Sequence, residues 1–152
     1  MRTFFIILLF FLLFNGCAQQ NAFERFDISK NKEHIEENIQ TFKLKKGSEV
    51  AGIATVVYLN KVFPQEYKER EYFYIYYYVK DQNAKVHFLL NGKKALSRKL
   101  LPADNRFAKL VSFEAPWSKY YLVSFAKEGR VLHFTIQTDT AAKATLQFVK
   151  DK

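Results

Sequence analysis

Short segments in which apolar and polar residues alternate recur from Thr41 to the end of the chain, and they constrain the fold more than any other feature. A period of two indicates a β-strand with one buried face. Turn residues separate these segments about every 8–12 residues, a spacing typical of antiparallel sandwiches and barrels. We therefore predict an all-β fold of about eight or nine short strands. Its form would be an antiparallel β-sandwich, or a partly closed barrel, in a single domain.

The strongest strand signal is the run of aromatic and apolar residues at 72–79. Alternate residues of a strand share a face, so one face of this strand consists of tyrosines alone: Tyr72, Tyr74, Tyr76 and Tyr78. Their rings and hydroxyl groups suit a binding platform for a glycan or a partner strand. The alternative is a central strand whose tyrosines cover lysine and arginine stems on its neighbours. The residues assigned to the core include Val57, Phe73, Ile75, Phe88 and Phe134.

Three further assignments concern turns and element boundaries. Asn91-Gly92 is a strong signal for a two-residue hairpin turn, and we expect it to join two strands, the second at Ala95–Leu101. Phe107–Phe113 alternates and is predicted to be a strand. Residues 29–40 stay open between a short helical turn and the start of a strand, because helical spacing of apolar residues gives way there to alternation.

Basic residues outnumber acidic ones, 24 to 15, which favours acidic partners. The densest basic stretch runs from Lys93 to Lys109, where Asp104 is the single acidic residue. Four of its residues are our candidate binding residues, called here the basic group: Lys93, Lys94, Arg98 and Lys99. Such a group can bind phosphate or carboxylate. The alternative is an edge strand whose lysines prevent aggregation.

Trp117 is the only tryptophan, and it follows Pro116 in a predicted loop close to Tyr120 and Tyr121 in sequence. An exposed tryptophan in this place is a candidate anchor for a ligand, because its ring offers a large contact area. The alternative is a structural role in which the ring covers one end of the sandwich.

Signals for catalysis or metal binding are weak. Neither a Gly-x-Ser-x-Gly motif nor a glycine-rich phosphate loop is present. His87 and His133 would approach a metal site only if their strands were adjacent, and zinc usually needs three or four protein ligands. Carboxylate pairs such as Glu69 and Glu71 lie in a charged stretch and are assigned to the solvated surface.

We therefore predict that the chain is not an enzyme and that it holds no metal and no cofactor. The alternative is an envelope hydrolase acting on glycan or lipid. It would need a pair of acids, or a histidine-centred site, that the fold brings together from distant parts of the chain.

The N-terminal segment carries a separate signal. Arg2 precedes an apolar run at residues 4–14, and Asn15 and Gly16 separate this run from Cys17, the only cysteine. A basic residue, a short apolar run and a small residue describe a secretory signal peptide, and the run is too short to span a membrane. The tetrapeptide Phe14-Asn15-Gly16-Cys17 resembles the lipobox of bacterial lipoproteins.

The resemblance implies that the chain is cleaved before Cys17 and that this cysteine is acylated. Because Ala18 follows, it also implies sorting to the outer membrane in a Gram-negative cell. The alternative is an ordinary signal peptide with a coincidental cysteine. The chain would then consist of a signal peptide (1–16), a lipidated N-terminus and tether (17–40) and the β domain (41–152).

Together these features predict a lipid-anchored envelope protein that acts as a non-enzymatic binding or assembly module. Its expected contacts are the membrane, through the lipid, and an envelope protein or an anionic glycan or lipid. Nucleic acid is not expected as a partner, because an exported, lipid-anchored protein rarely meets it. The sequence leaves the oligomeric state open.

Overall fold

Residues 38–111 and 117–150 are described by a computed structural model, and antiparallel strands account for most of them. Nine strands lie within these ranges: β1 Ile39–Lys46, β2 Glu49–Tyr58, β3 Glu71–Val79, β4 Val86–Leu90, β5 Lys93–Lys94, β6 Ser97–Leu101, β7 Lys119–Phe125, β8 Val131–Thr138 and β9 Lys143–Val149. The predicted signal peptide, the lipidation site Cys17 and the tether up to residue 37 lie outside the described residues.

The strands form one sheet in the order β5-β4-β8-β9-β1-β2-β3-β7-β6, and this sheet curls into a half-barrel. The predicted all-β antiparallel fold is confirmed, in its partly closed form. Two short helical segments occur in the described residues, a single turn α1 at Leu59–Val62 and a 3₁₀ turn at Ala108–Leu110. No helix within these ranges is long and apolar enough to cross a membrane.

The inner, concave face of the sheet carries the larger of two hydrophobic cores, called here the inner core. It is rich in aromatic rings because β3, β4, β7, β8 and β9 each direct at least one ring inward. The ring centroids of Phe73 and Phe134 lie 4.7 Å apart, and Phe125 meets Phe134 edge to face at 5.8 Å. The inner assignments of Phe73, Ile75, Phe88 and Phe134 are confirmed.

A second core, called here the outer cluster, covers the convex face of β2, β3 and β7. It forms because α1 and the segment around Phe107 fold over this face and bury Tyr74 and Val57 completely. Val57 is thus buried, but the prediction that it faces the same core as Phe73 is wrong. Two consecutive valines, Val56 and Val57, lie on opposite faces of β2, and each meets a different core.

Two boundary predictions need correction. Residues 107–111 contain the 3₁₀ turn rather than a strand, because Phe107 packs down onto Tyr74 as part of the outer cluster. The predicted turn at Asn91-Gly92 is present, with φ of 49° and 80°, as a turn with two left-handed residues requires. It joins β4 only to the two-residue β5. The chain then crosses to β7, with which β6 pairs.

Candidate functional site

The two ends of the sheet approach each other on the open side of the half-barrel, and we call the gap between β4 and β6 the seam. Among the described residues no strand pairing joins β4 to β6. Arg98 bridges them instead, because its Nη1 donates a hydrogen bond of 2.7 Å to the carbonyl oxygen of Val86. One side chain of β6 therefore spans the seam.

Aromatic rings hold the guanidinium group of Arg98 in place. Its Cζ lies 4.2 Å from the ring centroid of Tyr121 and 5.0 Å from that of Phe88, distances typical of cation–π contacts. Tyr121 stacks in turn on Tyr77, with centroids 5.9 Å apart and planes 8° from parallel. Burial and the neighbouring Tyr121 raise the pKa of Tyr77 to about 12, although Arg98 opposes the shift. The Tyr77 hydroxyl therefore keeps its proton at neutral pH.

The four residues of the basic group do not form one surface. Residues opposite each other in an antiparallel pair point to the same face. Lys94 lies opposite Leu89 and Lys99 opposite Leu122, which places both on the outer face, whereas Arg98 lies opposite the inner residue Val123. The structure thus separates two outward lysines from the arginine of the seam.

The lysines of the basic group also differ in their ion pairing. Lys93 Nζ forms a salt bridge of 2.8 Å with Glu128 Oε1, and hydrogen bonds from Lys93 and Asn91 lower the pKa of Glu128. Lys94 and Lys99 are exposed, and neither has an ion-pair partner in the part of the chain that the structure describes. Of the three lysines in the basic group, these two are therefore the ones available to meet an external anion.

Strand β6 is an exposed edge. Within the described ranges it pairs only with β7. Leu100 on β6 is 61% exposed and Leu96 just before it is 59% exposed, the two highest values among the large apolar side chains of the described residues. An edge strand with free backbone groups and exposed leucines offers both the polar and the apolar contacts that a partner segment needs.

The predicted tyrosine platform is not a continuous surface. Tyr74 is fully buried, with its ring centroid 5.2 Å from that of Phe107. Tyr76 stacks on Tyr120 at 6.0 Å, and Tyr72 contacts Tyr67 at 5.0 Å. Tyr72, Tyr76 and Tyr78 are half-buried. At Tyr74, the tyrosine in the alternating pattern is thus part of a second core and not of an exposed platform.

Trp117 is exposed and lies two residues before β7. The residues that precede it, 112–116, lie outside the described residues. Its assignment as a ligand anchor or as a cover over one end of the fold stays a prediction.

The register of the sheet separates the two strand histidines. Strands β4 and β8 are indeed adjacent, but His87 lies opposite Gln137, four residues along β8 from His133. At about 3.4 Å per residue this places the two backbones roughly 14 Å apart along the strand, too far to share a metal ion. No group of three or more potential ligands among His, Cys, Asp and Glu of the described residues is arranged to hold a metal.

One functional-looking group that the sequence did not reveal is a buried carboxylate. Glu71, assigned above to the solvated surface, is fully buried at the start of β3. Its Oε2 accepts a hydrogen bond of 2.5 Å from the Tyr58 hydroxyl, and its Oε1 accepts bonds from Lys150 Nζ at 2.5 Å and the Glu128 amide at 3.1 Å. We call these groups the Glu71 network.

The charge state of the Glu71 network follows from these contacts. Burial by itself would raise the pKa of Glu71, but the hydrogen bonds from Lys150, Tyr58 and the Glu128 amide outweigh it and leave the pKa below its usual value. Burial and the neighbouring Glu71 carboxylate raise the pKa of Tyr58 strongly, so this hydroxyl stays a donor. Because internal donors occupy its oxygens, the carboxylate links the end of β2 and the start of β3 to Lys150, the residue that follows β9.

Comparison with protein-family models, with curated proteins and with solved structures finds no match to this chain. The contacts described above, at the seam and along β6, are therefore the basis for assigning a function.

Proposed function

We propose that the protein is a non-enzymatic binding or assembly module of the bacterial cell envelope, anchored by a lipid on Cys17, and that it takes an anionic partner along β5, β6 and the seam. The observation that carries this proposal is the concentration of positive charge on β5 and β6, which contain no acidic residue and expose Lys94 and Lys99 without an ion-pair partner among the described residues. The chain as a whole carries a formal charge of +9, which attracts acidic partners.

The lack of acidic residues in β5 and β6 distinguishes this edge from two other basic parts of the surface. Lys80 pairs with Glu49 at 3.2 Å and Arg106 pairs with Glu66 at 2.8 Å, so these cations are already partly neutralised. Exposed charges act over about 8 Å at physiological salt, so attraction by Lys94 and Lys99 is strongest for a partner that lies directly on β5 and β6.

Reversing the two unpaired charges tests the proposal. We expect Lys94→Glu/Lys99→Glu to lose most of the partners that the wild type captures from bacterial envelope extract at low salt. Capture by the wild type should also fall steadily as salt rises, since the attraction is between exposed charges. The measurement is quantitative recovery of each captured species across a salt series.

A matched control is Lys43→Glu/Lys127→Glu, which makes the same change in net charge at two exposed lysines outside β5 and β6. This control should keep its partners. Equal recovery by the wild type and the Lys94/Lys99 variant, at both low and high salt, would reject this surface as the binding site.

The proposed anchor makes its own prediction. In a bacterial host, radiolabelled palmitate should be incorporated into the wild-type protein and not into Cys17→Ser, because this is the only thiol in the chain. The wild type should sediment with membranes. The proposed lipoprotein anchor carries several acyl chains, and more than one chain gives stable anchoring. Label that persists in Cys17→Ser would show that the lipoprotein assignment is wrong.

A further inference from the structure

Two arginines of the described residues stack on aromatic rings, and comparing them indicates what the seam can bind. Arg106 lies over Phe107, with 5.1 Å from Cζ to the ring centroid, and its Nη2 donates to both carboxylate oxygens of Glu66 at 2.8 and 2.9 Å. Arg98 lies over Tyr121 and Phe88 in the same manner. The fold thus uses a ring-held guanidinium as a carboxylate receptor at Arg106.

Among the described residues, Arg98 has no carboxylate partner of the kind that Glu66 provides for Arg106. Its guanidinium donates to the Val86 carbonyl and also contacts the Tyr77 hydroxyl, but within residues 38–111 and 117–150 no acidic side chain lies within ion-pair distance of it. A guanidinium has five N–H donors in a fixed fork. Because two rings and one carbonyl already fix its position, Arg98 would lose little conformational freedom on binding a carboxylate.

The backbone beside Arg98 offers a second means of recognition. Strand β6 is five residues long and has a free edge along the seam. Leu100, on the same face as Arg98, is largely exposed. An extended peptide that adds to such an edge gains main-chain hydrogen bonds, and alternate side chains then meet the pockets and charges of one face.

Protection against aggregation does not explain β6 well. The opposite edge, β5, shows what a protected edge looks like, with two residues that are both lysines. On β6 only Lys99 projects outward as an edge charge, because Arg98 is folded over Phe88 and Tyr121, and Leu96 and Leu100 remain exposed. A second copy of this chain would bring like charges together, because β6 has two cations and no acid.

We infer that the seam binds an extended, acidic segment of a partner protein, which pairs with the free edge of β6 and places a carboxylate on the guanidinium of Arg98. This inference rests on the proposed function and specifies its partner: a protein segment in strand conformation, rather than a glycan or a lipid headgroup. Lys99 would face the outward acidic side chains of the same segment.

Titration of the ¹⁵N-labelled protein with capped synthetic peptides tests the inference by NMR. A peptide of four Thr-Glu repeats should shift the amide signals of Ser97–Leu101, and the same peptide with glutamine for glutamate should not bind. Arg98→Lys keeps the charge but removes the planar fork. It should weaken binding by at least about tenfold, as expected for one charge-assisted bidentate contact.

The matched control is Arg106→Lys, the same change at the arginine that Glu66 already occupies, and its affinity for the peptide should equal that of the wild type. A Thr-Glu peptide methylated on every backbone nitrogen retains its charge but cannot pair with β6, so its affinity should also fall at least about tenfold. If Arg98→Lys proves unfolded, Leu100→Glu puts a negative charge beside Arg98 from an exposed position and should abolish binding.

Three results would overturn the inference: no binding of the Thr-Glu peptide, equal affinity of the methylated peptide, or undiminished affinity in folded Arg98→Lys. In each of these cases the anionic binding surface would still be supported if capture depends on salt and is lost in Lys94→Glu/Lys99→Glu. Failure of strand recognition is thereby distinguished from failure of the anionic binding surface.

Discussion

Phe134→Ala is expected to lower the free energy of unfolding by about 3–5 kcal/mol, the range measured when a buried phenylalanine is cut to alanine. Phe134 is fully buried near the centre of the inner core. Its ring contacts Phe73 at 4.7 Å and Phe125 at 5.8 Å, and Phe88 lies 6.4 Å away. The substitution therefore removes partners from three rings at once and leaves a cavity that the surrounding strands cannot close.

Urea denaturation measures this change. The midpoint urea concentration should fall, while the slope of the unfolding free energy against urea concentration stays the same. The control is Val131→Ala on the same strand, where the side chain is 42% exposed. Exposed substitutions usually change stability by less than about 0.5 kcal/mol. If Phe134→Ala lowers the free energy of unfolding no more than Val131→Ala does, the assignment of Phe134 to the inner core is wrong.

Alternation predicted the strands well where one face is apolar and the other is not. In β4 and β8, residues such as Phe88 and Phe134 alternate with His87 and His133, and the inner face could be read directly from this pattern. In β2 the pattern fails, because Val56 and Val57 are both apolar and both buried. A strand that contacts a core on each face is apolar on both faces, so its sequence shows no alternation that would tell the two faces apart.

Phe107 shows why a local pattern can indicate the wrong element. The apolar residues of Phe107–Phe113 suggest a strand, but residues 107–111 close over Tyr74 instead of joining the sheet. Asn105 gives a local signal for this turn, since its side chain accepts a hydrogen bond of 3.0 Å from the Phe107 amide. An asparagine just before an apolar segment therefore favours a turn over a strand at this place.

The candidate site was predictable in its residue types but not in its geometry. Charge alone identifies Arg98, Lys94 and Lys99 as candidates, but it does not indicate which of these cations has partners within the fold. The seam forms because Arg98 meets Phe88 and Tyr121, which come from two strands that are not neighbours in the sheet. The Glu71 network depends on Lys150, 79 residues further along the chain, so no local pattern could reveal it.

Glu71→Gln is expected to destabilise the protein by about 3 kcal/mol at neutral pH, because removing one partner of a buried ion pair leaves the other without its counter-charge. Glu71 is fully buried, whereas the Lys150 side chain is 25% exposed and can recover part of its hydration. Glutamine keeps the shape of the side chain but cannot accept all three hydrogen bonds. The control is Glu49→Gln, whose exposed pair with Lys80 should contribute less than about 1 kcal/mol.

The same comparison across pH tests the charge of Glu71. Its pKa in the folded protein lies below the usual 4.5, so in acid the unfolded chain binds this proton first and stability falls as pH falls. The contribution is complete above the unfolded pKa and is lost as pH drops through the lower folded value. The difference in unfolding free energy between wild type and Glu71→Gln should therefore shrink below about pH 4.5. A difference that stays constant from pH 7 to pH 3 would show that Glu71 is not held as a carboxylate by Lys150 and Tyr58.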